Sequence, residues 1–228
     1  MRRKIFPLLG LLVFGCGQFP NPNDLATIPQ ENRAAIAYER LLSAEDTLQF
    51  KVQQDEISDE KRNEMISEVA EQMLKSIKAD DVPLDAQWKY ASLLRVTNRW
   101  KETEAALKEA VKVAEDPDRK INDTLKLAQA EAKNGEVEEA IKTAASVMDA
   151  KDEDAAPILP SVLYEVVPAA QNKGHNKELV DLLSNAVKCH ERVKVDPNSD
   201  DGRAFLIAKR YHIHKAEQKM TELLSSNG

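Results

Sequence analysis

Residues 86–148 read AQWKYASLLRVTNRWKETEAALKEAVKVAEDPDRKINDTLKLAQAEAKNGEVEEAIKTAASVM, and their patterning decides the fold. Four apolar sets follow one another: Trp88, Ala91, Leu93 and Leu94; Thr103, Ala106, Leu107, Ala110 and Val113; Ile121, Leu125, Ala128 and Ala132; Val137, Ala140, Ile141, Ala144 and Val147. Steps of three and four place each set on one face of a helix. Asn98-Arg99 and Asn134-Gly135 are turn signals, and Asp116-Pro117-Asp118 breaks the pattern between them. The stretch therefore predicts four short amphipathic helices in two hairpins.

The same period extends outward. Ala34, Tyr38, Leu41, Ala44 and Leu48 predict a helix over residues 30–49, and Ile66, Val69, Met73 and Ile77 one over 58–79. Pro29 suits a helix first turn, and Ser58 suits an N-cap followed by Asp59 and Glu60. Ile158, Leu159, Val162, Leu163, Val166 and Val167 predict a seventh helix, kinked or ended at Pro168, which removes a donor and crowds the preceding turn. Leu179, Leu182, Leu183, Ala186 and Val187 predict an eighth after Gly174. Beyond the break DPNSDDG (196–202), Leu206, Ile213 and Met220 recur every seven residues in a long last helix. That helix would cap the stack, as repeat arrays require for solubility.

Composition agrees. Hydrophobic residues make up 42% of the 228 and aromatics only 5%, so the core must be mostly Ala, Leu, Val and Ile. No clean period-2 run occurs. The predicted class is all-α. The formal charge is −7, an acidic balance that argues against broad phosphate-backbone binding and so against a nucleic-acid partner.

The N-terminus carries an address. Arg2, Arg3 and Lys4 precede an apolar run, Ile5–Phe14, then Gly15 and Cys16. This is the layout of a secretory signal. The apolar run is half of the roughly 20 residues a membrane-spanning helix needs. The sequence Leu12-Val13-Phe14-Gly15-Cys16 resembles a bacterial lipobox. The resemblance implies a diacylglyceryl group on the Cys16 thiol, cleavage before Cys16, and acylation of the new N-terminus. Two or more acyl chains anchor stably where one does not. Gly17 follows Cys16, which by the same resemblance implies sorting to the outer membrane in an organism that has one. Residues 17–30, with Pro20, Pro22 and Pro29, read as a tether. The expected organisation is a signal over 1–16, a tether over 17–30, helical repeats over 31–195 and a capping helix over 196–228.

The hairpins resemble tetratricopeptide repeats. Tyr90-Ala91-x₂-Leu94 is similar to one family element, and Gly135–Ile141 (GEVEEAI) is similar to another: a turn glycine, an acidic entry and a buried alanine. Asn98–Thr103 and Gly174–Val180 are looser copies, and Glu131 departs from the family by standing where an aromatic is common. The turn residues Asn98, Gly135 and Gly174 lie 37 and 39 residues apart, against about 34 in the family. The resemblance implies a right-handed superhelical solenoid of about four helix-turn-helix hairpins plus the capping helix. It also implies a concave face lined by the first helix of each hairpin. Trp88, Ser92, Arg95, Gln129, Lys133, Tyr164 and Gln171 would sit there and take a peptide or protein.

No chemistry-bearing motif competes. The chain has no nucleophile elbow, no glycine-rich phosphate loop and no zinc spacing. No enzyme activity and no cofactor are expected. His212 and His214 are two apart, and i and i+2 do not face each other on a helix, so no metal site is expected from them. With Cys16 lipidated, Cys189 has no disulfide partner and is either a buried small hydrophobe or an exposed thiol. The expected function is a lipid-anchored envelope scaffold. The alternatives are a homo-oligomer joined through the C-terminal helix and a small-ligand-binding envelope protein.

Overall fold

The structure is a computed structural model that describes residues 24–226. Cys16 and the first half of the expected tether, residues 17–23, lie outside them. Among the described residues the secondary structure is helical, with no strand. The elements are α1 (Gln30–Gln53), α2 (Asp59–Leu74), α3 (Gln87–Val96), α4 (Trp100–Val113), α5 (Pro117–Asn134) and α6 (Val137–Ala145). After a loop come α7 (Ile158–Ser161), a π-helical segment (Val162–Val166) and α8 (Val167–Ala170), then α9 (Asn176–Arg192) and α10 (Asp200–Ser225).

Local chemistry sets the boundaries. The Ser58 hydroxyl accepts from the Lys61 amide and starts α2. Asp116 accepts from the amides of Asp118 and Arg119, with Pro117 as the first helical residue of α5. α3 and α5 end alike. Gly135 has φ 93° and Asn98 φ 59°, the left-handed conformation that closes many helices. At one end the Glu136 amide donates to Glu131 O and Gly135 to Ala132 O; at the other Arg99 donates to Leu94 O and Asn98 to Arg95 O. The two turns therefore share one hydrogen-bonding pattern.

The third turn departs. Pro168 has no N–H to give and its ring crowds the carbonyl four residues earlier. The helix widens just before it, and the Val167 amide donates to Val162 O, five residues back. The expected kink is thus a π-helical turn. Gln171 then leaves the helix in an extended conformation, and Gly174 has φ 88°.

Consecutive helices pack as hairpins: α1 on α2, α3 on α4, α5 on α6, and α9 on both α7 and α10. Alternate helices also touch: α1 lies on α3, and α5 on the π segment and α8. Two apolar clusters result. One gathers Leu41, Leu48, Ile66, Leu74, Leu93, Leu94 and Leu107; the other gathers Leu125, Ile158, Leu159, Val162, Leu179 and Leu183. Helix α5 serves both, with Leu127 in the first and Leu125 in the second. Completely buried alanines (Ala34, Ala37, Ala70, Ala110, Ala128, Ala140, Ala144) sit at the helix contacts. A core this poor in aromatics packs by bringing backbones close.

One expectation changes. The extended tether does not reach residue 30: Leu25 is buried in the first cluster, within a short 3₁₀ turn capped by Asp24. The Arg33 guanidinium ties this turn down by donating to Ile28 O, Ala26 O and Ser76 O. At the other end, Ile213 and Met220 pack on the second cluster, and Ala216 and Leu223 are buried in it. Helix α10 therefore covers α9.

Candidate functional site

The residues expected on one face fall into two groups. Trp88, Ser92, Arg95 and Gln129 come together along α3 and α5, joined by groups the sequence reading missed. The Tyr38 ring of α1 meets Trp88 edge-on, with centroids 5.0 Å apart. Lys89 Nζ stands 5.4 Å from the Trp88 ring and 5.8 Å from the Tyr38 ring, and pairs with Glu39 at 3.3 Å. The Ser92 hydroxyl is turned back to Trp88 O at 2.9 Å, a local bond that holds the serine against its own helix.

Arg95 is the hinge of the face. Its Nη1 donates to Gln129 Oε1 of α5 at 3.5 Å and to Glu165 Oε2 of the π segment at 3.4 Å. One guanidinium thus spans three alternate helices. Both bonds are long, and its buried Nε has no partner. Beside it, Lys126 is half-buried, and its ammonium is pushed below the usual lysine range by burial and then by the Arg95 charge. Asp123, 1% exposed, has its carboxyl pushed up by burial, against the pull of Lys126 and Arg119. Its Oδ2 lies 3.8 Å from Arg119 Nε, and neither atom has a hydrogen-bond partner. The face is therefore rich in charge that is partly desolvated and incompletely satisfied.

Arg95 also borders an open cavity of about 910 Å³ between the α1–α2 hairpin and the α3–α4 turn. Glu45, Asp46, Gln49, Arg62, Glu68 and Trp100 line it. Burial raises the carboxyl of Glu45, with Arg95 and Arg62 opposing.

The other expected residues lie elsewhere. Lys133 is exposed and holds its Nζ 5.7 Å from the Trp100 ring of α4, outside the Arg95 contacts. Tyr164 is 48% exposed and its ring meets His212 of α10 at 5.8 Å. Gln171 is half-buried where α8 ends, and its side chain makes no hydrogen bond among the described residues. Cys16 lies outside them. The missed residues Tyr38, Glu45, Asp123, Lys126 and Glu165 gave little sign in the sequence. Carboxylates and lysines on helices are ordinarily solvated, and only packing of helix on alternate helix draws these inward.

A second cluster joins α9 to α10. His190, 1% exposed, packs with its ring tilted against Phe205 at 5.4 Å and His212 at 5.8 Å. The Ala156 backbone faces the ring, yet neither ring nitrogen closes a hydrogen bond within ordinary geometry. Burial, then the His212 and Lys209 charges, lower the His190 pKa from 6.5 to about 4. His214 points elsewhere and meets Gln218 at 3.0 Å. Among the described residues no three His, Cys, Asp or Glu side chains are grouped to hold a metal ion. Cys189 is buried, with its thiol donating to Met148 O at 2.9 Å. No described helix is long and apolar enough to cross a membrane. Comparison with family models, with curated proteins and with solved structures gave no match.

Proposed function

We propose that this chain is a lipid-anchored envelope scaffold that binds an extended peptide or protein segment across α1, α3, α5 and the π segment. The reading takes the packed hairpins as four TPR-like units in a right-handed solenoid, with α10 as the cap. The observation that carries it is Arg95 bridging Gln129 and Glu165 beside the Tyr38–Trp88 pair. Alternate helices thereby present aromatic and half-desolvated charged groups along one continuous face. A peptide backbone would reach the partly exposed Arg95 guanidinium and Glu165 carboxylate, whose bond to each other is long, as is that of Arg95 to Gln129. No catalytic step is part of this reading. The lipid on Cys16 supplies location, at the periplasmic face of the outer membrane where the organism has one.

Affinity capture from crosslinked membranes tests the binding face. Wild-type protein should recover a specific partner that the double variant Trp88→Ala, Arg95→Ala recovers poorly; equal recovery by both would remove the face from consideration. Anchoring has its own test. Cys16→Ser should move the protein out of the membrane fraction, and retention after a carbonate wash would disprove lipidation at that residue. A second reading, self-association through α10, is favoured by the exposure of Ile207 and Tyr211 on that helix.

A further inference from the structure

Helix α10 is the last described element and packs on α9 and, more lightly, on α7. Three of its 26 residues are buried (Gly202, Ala216 and Leu223), against seven of 17 in α9. Phe205, Ile213 and Met220 rest partly covered on the second apolar cluster. Two polar side chains complete the attachment. Asn176 Nδ2 donates to Leu223 O at 3.1 Å, and Lys209 Nζ to Glu191 O and Val193 O at 2.8 and 3.1 Å. So thin a seam opens at a lower cost than the whole fold. No described element follows α10, so nothing else has to unfold with it.

A histidine pair lies in this seam. His190 of α9 is 1% exposed, and neither of its ring nitrogens closes a hydrogen bond. The His212 ring of α10 stands 5.8 Å away, and its buried Nδ1 is likewise without a partner. Phe205 and His212, both on α10, cover the His190 ring. The charged or titratable groups that act on it are His212 and Lys209, again from α10. The loop ahead of α7 brings only the Ala156 backbone, and no charged group of α6, α7, the π segment or α9 itself acts on the ring. An imidazolium at His190 would therefore be buried near the Lys209 ammonium with no carboxylate to receive it. With α10 lifted away, the same ring loses its cover and its cationic neighbours together.

We propose that α10 is an acid-released strap: as the pH falls from neutral to about 5, protonation of His190 frees α10 from α9 while the helices before it stay packed. The ring takes a proton more readily with α10 away, so each proton bound favours the released state, and docking is restored as pH rises past about 6.5. Release uncovers the part of the second apolar cluster against which Ile213, Ala216, Met220 and Leu223 lie. Acid thereby turns a covered apolar surface into an exposed one. The proposal does not rest on the peptide-binding reading, because Trp88 and Arg95 take no part in it.

The test uses the chain from Gly17 to Gly228, which keeps every core residue from Leu25 onward. For a ring that titrates near 6.5 when released and at about 4 when docked, the released fraction rises about twentyfold between pH 7 and pH 5. Hydrogen exchange read by mass spectrometry, corrected for the intrinsic rate at each pH, measures it. Protection of α10 (Asp200–Ser225) should fall about twentyfold, while that of α3 to α5 (residues 87–134) holds. In His190→Leu, which keeps the seam apolar and cannot titrate, α10 should keep its protection at both values. Far-UV circular dichroism verifies that this variant is folded; should it not be, His190→Gln, polar and without titration, takes its place. Unchanged α10 protection in the wild type would overturn the proposal. So would an equal loss in α3 to α5, since the whole fold is then opening, or the same α10 loss in the His190 variant, since another group is then the trigger.

Discussion

Protonation of His190 should undo the docking of α10, and its size can be worked from the site. The ring is buried between α9 and α10 against Phe205 and His212, with Lys209 near and Ala156 behind. No acidic side chain contributes to stabilising its charged form. The folded protein holds the ring neutral down to about pH 4, whereas the unfolded chain protonates it near the ordinary 6.5. The unfolded state therefore binds the proton more readily, and stability rises with pH. The contribution is whole above about pH 6.5 and is lost as pH falls toward 4. The gap between 6.5 and about 4 corresponds to about 3 kcal/mol at most, of which about 2 kcal/mol is gone by pH 5. Urea unfolding at pH 7, 6, 5 and 4.5, followed by circular dichroism, measures it. His190→Leu keeps the site apolar and removes the titration, so its stability should fall by about 2 kcal/mol less than wild type between pH 7 and 5. Carboxylates titrate in both proteins and cancel in the difference. Parallel pH dependences would refute the assignment of His190 as a neutral, buried packing element.

Other outcomes follow from single contacts. A Cβ at Gly202 would sit 1.8 Å from Asp196 O, so Gly202→Ala must move the backbone that starts α10; a loss of about 2 kcal/mol, or about 4–8 °C in Tm, is expected by thermal denaturation, while Ala204→Gly in the same helix but exposed should lose about 1 kcal/mol. Cys189 is 2% exposed and burial raises its thiol, so Ellman's reagent should leave the native protein unlabelled and react fully only in denaturant; rapid labelling of the folded chain would place the thiol at the surface.

Much of the fold was legible because its signals are local. Ser58, Asp116, Asn98 and Gly135 act on the residues next to them, and an N-cap or a left-handed C-terminal residue works the same way in any surroundings. Pro168 announced a disturbance, but not its form, since a π-helical turn depends on how Ile158–Val167 pack against α5 and α9. The grouping of side chains around Arg95 was half legible. Trp88, Ser92, Arg95 and Gln129 follow from helical spacing once the hairpins are placed. Lys133 and Tyr164 do not, because Trp100 and His212 from other helices attract them, and those contacts depend on crossing angles that no periodicity encodes. Asp123 and Lys126 look like solvated charges until α5 is seen packed on both sides. His190 and His212 are separated by the whole DPNSDDG turn, so only the docking of α10 on α9 brings them together. Leu25 was hidden by the prolines around it, which suggest extension.

The most direct measurement of the central claim is site-specific photocrosslinking in membranes. A photoreactive side chain is placed at Gln129, beside Arg95, and separately at Lys112, exposed on α4. The account predicts a discrete partner adduct from position 129, reduced by Arg95→Ala, and none from position 112. Adducts that form equally from both positions, or that ignore Arg95→Ala, would contradict it.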